Sequence, residues 1–307
     1  MKNIIFKNYI FDTSIELKPS IRISPFNEEY LNCPINNPLD GECYLKNRFC
    51  NYRLTIKGRS AIELALSYYQ LKKDDTVTIL TSSNNFYISS CVTNTIEKYC
   101  SWSRKISDKT KVIFVNHEFG YPYPNLQSLK EYNIPIIEDC AHCFMSDDEL
   151  GLVGKTGDFA IYSLPKFFPM QMGGILSINN NSIYIPDTIE ENHKDYILRN
   201  ISCNLSTLEN ICERRLTNYH YLKEQLKTIG IQPYFEEKRR TIPNVFLFKW
   251  HSNINYALLK EFMQSNGVEC SVFYGQNAFF VPVHQNLKKS HLDYIISLLK
   301  YYYNDLF

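Results

Sequence analysis

An aspartate and a lysine carry the chemistry this sequence suggests. In residues 134–174 an apolar run ends in Asp139, and a polar turn with His142 follows. After Gly157 and Asp158 a second apolar run leads into Ser163-Leu164-Pro165-Lys166. Two strand-like runs thus deliver an acid at one strand end and an amine just after another. A buried carboxylate keeps a pyridinium nitrogen protonated, because the charge pair strengthens when water is excluded. A partly desolvated lysine beside a cationic ring has a lowered pKa and attacks carbonyls as the free amine. These are the requirements of a pyridoxal phosphate (PLP) site, with Asp139 on the ring nitrogen and Lys166 as Schiff-base lysine and proton shuttle. Ser163 brings a hydroxyl for the phosphate, and Pro165 and Pro169 stiffen the connection. Taken singly, each residue has a plainer reading: Asp139 as a helix cap, Lys166 as a solvated surface residue.

The elements before them fit the same site. YRLTI (52–56) reads as a strand entering a turn at Gly58-Arg59-Ser60, and an apolar-faced helix follows to Leu71. Gly58 permits close approach of a ligand, Ser60 is placed to cap the helix, and N–H groups at such a start attract phosphate. An ordinary capped helix has the same pattern. TVTILT (76–81) reads as a buried strand, SSNN (82–85) as a loop and 86–99 as a helix. Tyr87 therefore follows a strand's carboxyl end, where its ring is either a stacking surface for a flat cofactor or core.

KVIFVN (111–116), IPIIE (134–138), FAIYS (159–163) and GILSI (174–178) continue the strand series, with a short helix at 126–132. Strands alternating with helices predict an α/β layer with a mostly parallel sheet, whose ligand residues gather at the carboxyl ends. Residues 1–57 read as an extended segment packed over this core. Beyond 185, residues 186–194 read as a polar surface excursion. A long amphipathic helix (212–229), a strand (244–249), a helix (257–263), a strand (268–273) and a closing helix (291–303) follow. The expected division is residues 1–200, the N-terminal segment with the large PLP-binding domain, and 201–307, a smaller α+β domain.

The bulk properties narrow the classes. The 307 residues are 44% hydrophobic and 21% charged, ordinary for a protein with a sizeable core. The net charge is +1, which calls for neither nucleic acid nor an anionic membrane as partner. The start has no signal-peptide pattern, and no apolar run has membrane-span length, so a cytoplasmic protein is expected. Its 10 cysteines then read as free thiols. Cys140-Ala141-His142-Cys143 is a lone CxxC; a redox or metal pair is the alternative, but no second CxxC or thioredoxin-like context accompanies it.

The order GRSAIELAL, VNHEFGYP, IIEDCAH, GDFAIYSLPK and MGGIL resembles the DegT/StrS-type sugar aminotransferases, at useful strength over residues 58–178. FFVPVHQNL resembles that family's closing segment. The resemblance implies a fold-type-I PLP enzyme, a homodimer with shared active sites. It implies transfer of an amino group from glutamate or glutamine to a keto sugar, nucleotide-linked, for surface polysaccharide or related amino-sugar biosynthesis. By position it implies that Gly58, Arg59, Ser60 and Ser163 hold the phosphate and Tyr87 stacks on the ring. Asp139 binds the ring nitrogen, His142 lies beside the cofactor, and Lys166 forms the Schiff base. Relatives that dehydrate sugars carry His in place of that lysine, so Lys166 implies transamination. His117 and Asn204 are the substrate candidates; Asn204-Leu205-Ser206 resembles the family's Asn-aromatic-Arg motif without its Arg. Two rival readings stand: a PLP enzyme acting on a small phosphorylated keto compound, and a non-catalytic relative that binds a sugar nucleotide. No metal is expected.

Overall fold

The computed structural model describes residues 19–30, 36–250 and 254–304. The chain divides into two compact units, one of Phe26–Glu209 with Lys238–Ile242, the other of Met1–Pro25, Asn210–Glu237 and Pro243–Phe307. Among the described residues no helix is long and apolar enough to cross a membrane.

The first unit is built on seven strands: β1 (Tyr52–Thr55), β2 (Thr76–Thr81), β3 (Ser101–Ser103), β4 (Thr110–Asn116), β5 (Ile136–Asp139), β6 (Phe159–Ser163) and β7 (Gly174–Ile178). Their order across the sheet is β1-β7-β6-β5-β4-β2-β3. From β3 to β6 every pairing is parallel, as expected. β7 is the exception within this mostly parallel sheet and runs antiparallel to both β6 and β1. The physical reason is the short connection: residues 164–173 are too few for a helical crossover, which takes a dozen or more.

Helices α1 (Pro38–Arg48), α2 (Gly58–Tyr68), α3 (Ser90–Ile96) and α4 (Glu191–Asn204) accompany the sheet. Ala61, Ile62, Ala65 and Leu66 of α2 pack with Val77, Ile79, Phe159, Ile161 and Leu176 of the sheet. Ile113, Val115 and Ile136 form a separate cluster with Leu126 and Leu129. The alternation of Ile136 and Ile137 between the two clusters is the period-2 rule of a strand buried on both faces.

Several expectations need correcting. Of the extended segment expected over 1–57, residues 1–18 and 31–35 lie outside the described residues, and residues 38–48 are helical. The α1 start carries its own signal: the Asn37 side chain accepts from the Leu39 N–H (3.1 Å), and Pro38 occupies the first turn, where its missing N–H costs nothing. The polar excursion at 186–194 turns helical at Glu191. The helix expected at 86–99 is confined to α3, capped by the Ser89 hydroxyl, and Phe86 and Tyr87 precede it with exposed rings.

The second unit packs α5 (Leu208–Leu226), α6 (Tyr256–Ser265) and α7 (Lys289–Asn304) with an antiparallel sheet of β8 (Ile231–Pro233), β9 (Val245–Trp250), β10 (Ser271–Phe273) and β11 (Ala278–Pro282). Its order is β10-β11-β9-β8. Phe246, Phe248, Phe279, Leu259, Ile295 and Leu299 are buried in its core.

Candidate active site

Asp139 ends β5, in register with Asn116 of β4 and Ile161 of β6. This is the carboxyl edge of the parallel strands, where open α/β sheets bind ligands. The carboxylate is 7% exposed, and its Oδ1 accepts the Ala141 N–H at 3.0 Å. Burial pushes the carboxyl pKa up, while the Lys166 charge and the Ala141 N–H pull the other way.

Lys166 closes the single turn Leu164–Lys166 that follows β6. The turn is pinned at its start, where the Leu164 N–H bonds Gly173 O at 3.0 Å. Phe167 and Phe168 beyond it pack on Phe144, the first tilted and the second edge-on, with ring centroids at 5.3 and 4.9 Å. Lys166 Nζ lies 2.6 Å from His142 Nε2. Burial pushes the amine below the ordinary lysine range, and the Asp139 carboxylate opposes it. Asp139 is buried and Lys166 half-buried, and the charge of each acts on the other.

The start of α2 meets this pocket through two glycines. A Cβ on Gly58 would stand 3.2 Å from Ser163 Cβ and 3.6 Å from its Oγ, so the turn lies against the serine at the end of β6. A Cβ on Gly174 would strike the Lys57 carbonyl at 2.7 Å, so only glycine lets the entry to α2 sit on β7. The expected capping role of Ser60 is corrected here. Lys57 is the N-cap residue, no side chain caps the helix, and Ser60 is its third residue, with its N–H turned back to Lys57 O (2.9 Å). The first-turn N–H groups at Gly58 and Arg59 are then the ones an anion would meet. Arg59 is exposed and its Nη2 donates to Cys91 Sγ at 2.8 Å.

Tyr87 is 46% exposed, and its N–H donates to Asn85 Oδ1 at 3.3 Å. His117 does not suit the substrate role expected of it. Its ring is fully buried; Nε2 faces Glu138 Oε2 at 3.1 Å and Nδ1 accepts the Tyr123 N–H at 2.9 Å. Both ring nitrogens are committed to the scaffold. Asn204 ends α4 partly buried, and its amide donates to Asn200 O at 2.7 Å.

Glu138 is the residue that sequence reasoning missed. Fully buried, it accepts the N–H groups of Gly154, Thr156 and Gly157, each at 2.8 Å, besides His117. It ties the loop before β6 to the end of β5. His117, Glu138 and Cys140 bring potential metal-ligand atoms within 4.8 Å of one another. Both Glu138 oxygens already face N–H donors, so the cluster is built for hydrogen bonds and not for a cation. Cys140 and Cys143 are buried, and burial pushes both thiols well up, which leaves them poor nucleophiles.

Residues 93–184 match the model of the DegT/DnrJ/EryC1/StrS aminotransferase family. That stretch contains Asp139, His142, Ser163 and Lys166, and it is the family the motifs resemble. The GDP-perosamine synthase of Escherichia coli O157:H7 is 34% identical over 86 residues, 26% of this chain and 24% of that protein. The match thus spans about a quarter of the length of that relative. Two solved structures share the fold. The aminotransferase TlmJ of Streptoalloteichus hindustanus has a TM-score of 0.72 at 14% identity, covering 88% of this chain and 91% of its own. A Streptococcus pneumoniae protein, Spr1654, in its PLP-form has a TM-score of 0.68 at 15% identity, covering 90% and 93%. The α/β fold with its large, mostly parallel sheet is that of the fold-type-I aminotransferases.

Proposed function

We propose that this chain is a PLP-dependent aminotransferase that passes an amino group from glutamate or glutamine to a keto sugar, nucleotide-linked, and works as a homodimer. The observation that carries the reading is the shared pocket of Asp139 and Lys166 at adjacent strand ends, with Gly58 packed on Ser163 beside it. The family match over 93–184 and the GDP-perosamine synthase relative support the sugar as acceptor.

The residues present suit the cofactor. A Cβ-free approach at Gly58, the Ser163 hydroxyl beside it and an α2 start with no side-chain cap make a cradle for a phosphate. Arg59 and Ser60 belong to the same turn, and Tyr87 has an exposed ring for stacking. Asp139 is a carboxylate for the ring nitrogen, and Lys166 is an amine of lowered pKa for the carbonyl carbon. When bound, PLP supplies the electron sink that stabilises a carbanion at the substrate carbon.

The chain's own residues do the rest. Asp139 would face the ring nitrogen of the bound cofactor, where its carboxylate would keep that nitrogen protonated. Lys166 Nζ would carry a proton from one substrate carbon to the next. The buried walls around Phe144, Phe167 and Phe168 exclude water from the loop that carries it.

The test is an amino-transfer assay of the full chain, loaded with PLP, with glutamate and a panel of nucleotide-linked keto sugars and small keto phosphates. The expected result is loss of glutamate matched by amination of a nucleotide-linked keto sugar. Turnover of the keto phosphates alone would favour the rival substrate class, a small phosphorylated keto compound. No turnover with any acceptor, and no exchange of the glutamate α-proton, would overturn the reading.

A further inference from the structure

His142 sits three residues beyond Asp139 on the turn that leaves β5, and its Nε2 is the atom 2.6 Å from Lys166 Nζ. A nitrogen–nitrogen contact of that length holds one proton on its axis, since an ammonium facing an imidazolium would oppose two like charges. The imidazole is held for the contact. Phe119 packs its ring on that of His142 at 5.6 Å between centroids. Phe119 does so from a left-handed backbone (φ 54°, ψ 20°) that a non-glycine residue adopts only when its surroundings impose it. Those surroundings are the Tyr121 N–H bonded to Glu118 O at 2.8 Å, and the buried Glu118 carboxylate bonded to the Ser83 N–H at 2.6 Å. A strained residue thus backs the ring whose Nε2 faces Lys166 Nζ.

We propose that His142 is the proton acceptor that converts the Lys166 ammonium into the nucleophilic amine. The step is balanced within the pair. One N–H bond of Nζ breaks and its electrons remain on Nζ, while the proton forms an N–H bond at His142 Nε2. Net charge does not change, so the pair keeps one positive charge on the side where the Asp139 carboxylate acts. Burial disfavours the Lys166 cation, and the Asp139 carboxylate of β5 opposes that effect; Cys91 of α3 and Cys143 beside His142 are the other titratable groups that act on the amine. Phe119 is the neutral face against His142. The inference rests on Lys166 being the reactive amine, and its test is independent of turnover.

A coupled pair has a signature that a lone lysine lacks. While one proton is shared, the amine fraction on Lys166 is independent of pH. The experiment labels the full chain, before PLP is added, with trinitrobenzenesulfonate and follows the Lys166 peptide by mass spectrometry from pH 6 to 8. Wild type is expected to label at a rate constant within about 2-fold over that window. His142→Gln keeps a hydrogen-bond acceptor but cannot take the proton, and its rate is expected to rise about 10-fold per pH unit, as a single titration does. The same steep rise in both proteins would overturn the proposal. A second measurement guards against a misfolded variant. In nitrogen-15 histidine spectra of wild type and Lys166→Met, the His142 midpoint is expected to differ by about a unit or more. An unchanged midpoint would also overturn it. Failure of PLP to attach to Lys166 would instead strike the functional reading and leave the labelling profiles as they are.

Discussion

Glu138 and Asp139 are neighbours at the end of β5 and leave the strand on opposite faces. Glu138 turns to His117 and the loop at 154–157, while Asp139 turns to the pocket of Lys166. One acid is spent on the scaffold, and the other is left to act on the Lys166 amine.

The first prediction concerns that scaffold. Oε1 of Glu138 accepts two N–H groups and Oε2 accepts one plus the His117 Nε2–H. In Glu138→Gln, either amide orientation turns an NH2 against donors. The loss is expected to be about 3 kcal/mol, and the melting temperature is expected to fall by about 6–12 °C. Thermal melts of the two proteins check it, and a fall under about 2 °C would contradict it.

At the phosphate turn, Gly58→Ala places a methyl group 3.2 Å from Ser163 Cβ, tighter than ordinary contact. The helix backbone accepts alanine, so the fold persists while the turn and the serine are pushed apart. PLP affinity measured by fluorescence titration is expected to weaken about 10-fold, or about 1.4 kcal/mol. Unchanged affinity would show that the cofactor phosphate does not sit there.

Asp139→Asn leaves the side-chain shape and removes the charge that would face the ring nitrogen. PLP attachment is expected to survive, and the half-reaction with glutamate is expected to slow on the order of 10²–10³-fold in stopped-flow absorbance. A rate within a factor of about 3 of wild type would remove Asp139 from the chemistry.

The second unit has a built-in acid sensitivity. His284 donates Nε2–H to Arg22 O at 3.0 Å and accepts the Asn286 N–H on Nδ1 at 3.2 Å. Burial first, and the Arg215 charge second, push its pKa down to about 3 from the ordinary histidine value of 6.5. Below pH 6.5 the unfolded chain binds a proton that the folded one refuses, so stability falls as pH drops from about 6.5 towards 3. At pH 5 the loss from this group is about 2 kcal/mol. Urea unfolding at pH 7.5 and pH 5 is expected to show a difference smaller by about that amount in His284→Gln. An equal pH difference in both proteins would contradict it.

These results show which features a sequence can carry. TVTILT, FAIYS and GILSI became β2, β6 and β7 residue for residue, because strands buried on both faces are continuous apolar runs bounded by polar turns. The direction of β7 was hidden, since strand pattern carries no polarity; only the length of its connection does. Helix α1 announced itself in Asn37-Pro38, a cap followed by a proline in the first turn, and was obscured by the irregular residues around it. Glu138 could not be found this way. Its partners come from a loop and from β4's end, and no period in the sequence encodes them. His117 misled for the same reason: a histidine after a strand looks available until its two nitrogens are accounted for. The places of Asp139, Ser163, Gly58 and Lys166 were legible because each stands at an element boundary that composition marks.

The most direct test traps the cofactor where it is held. The full chain is loaded with PLP, reduced with borohydride, digested and mapped by mass spectrometry. A single pyridoxyl phosphate adduct on Lys166, absent in Lys166→Ala together with the visible absorption band, is the predicted result. An adduct on another lysine, or none at saturating PLP, would contradict the assignment of Lys166 as the reactive amine.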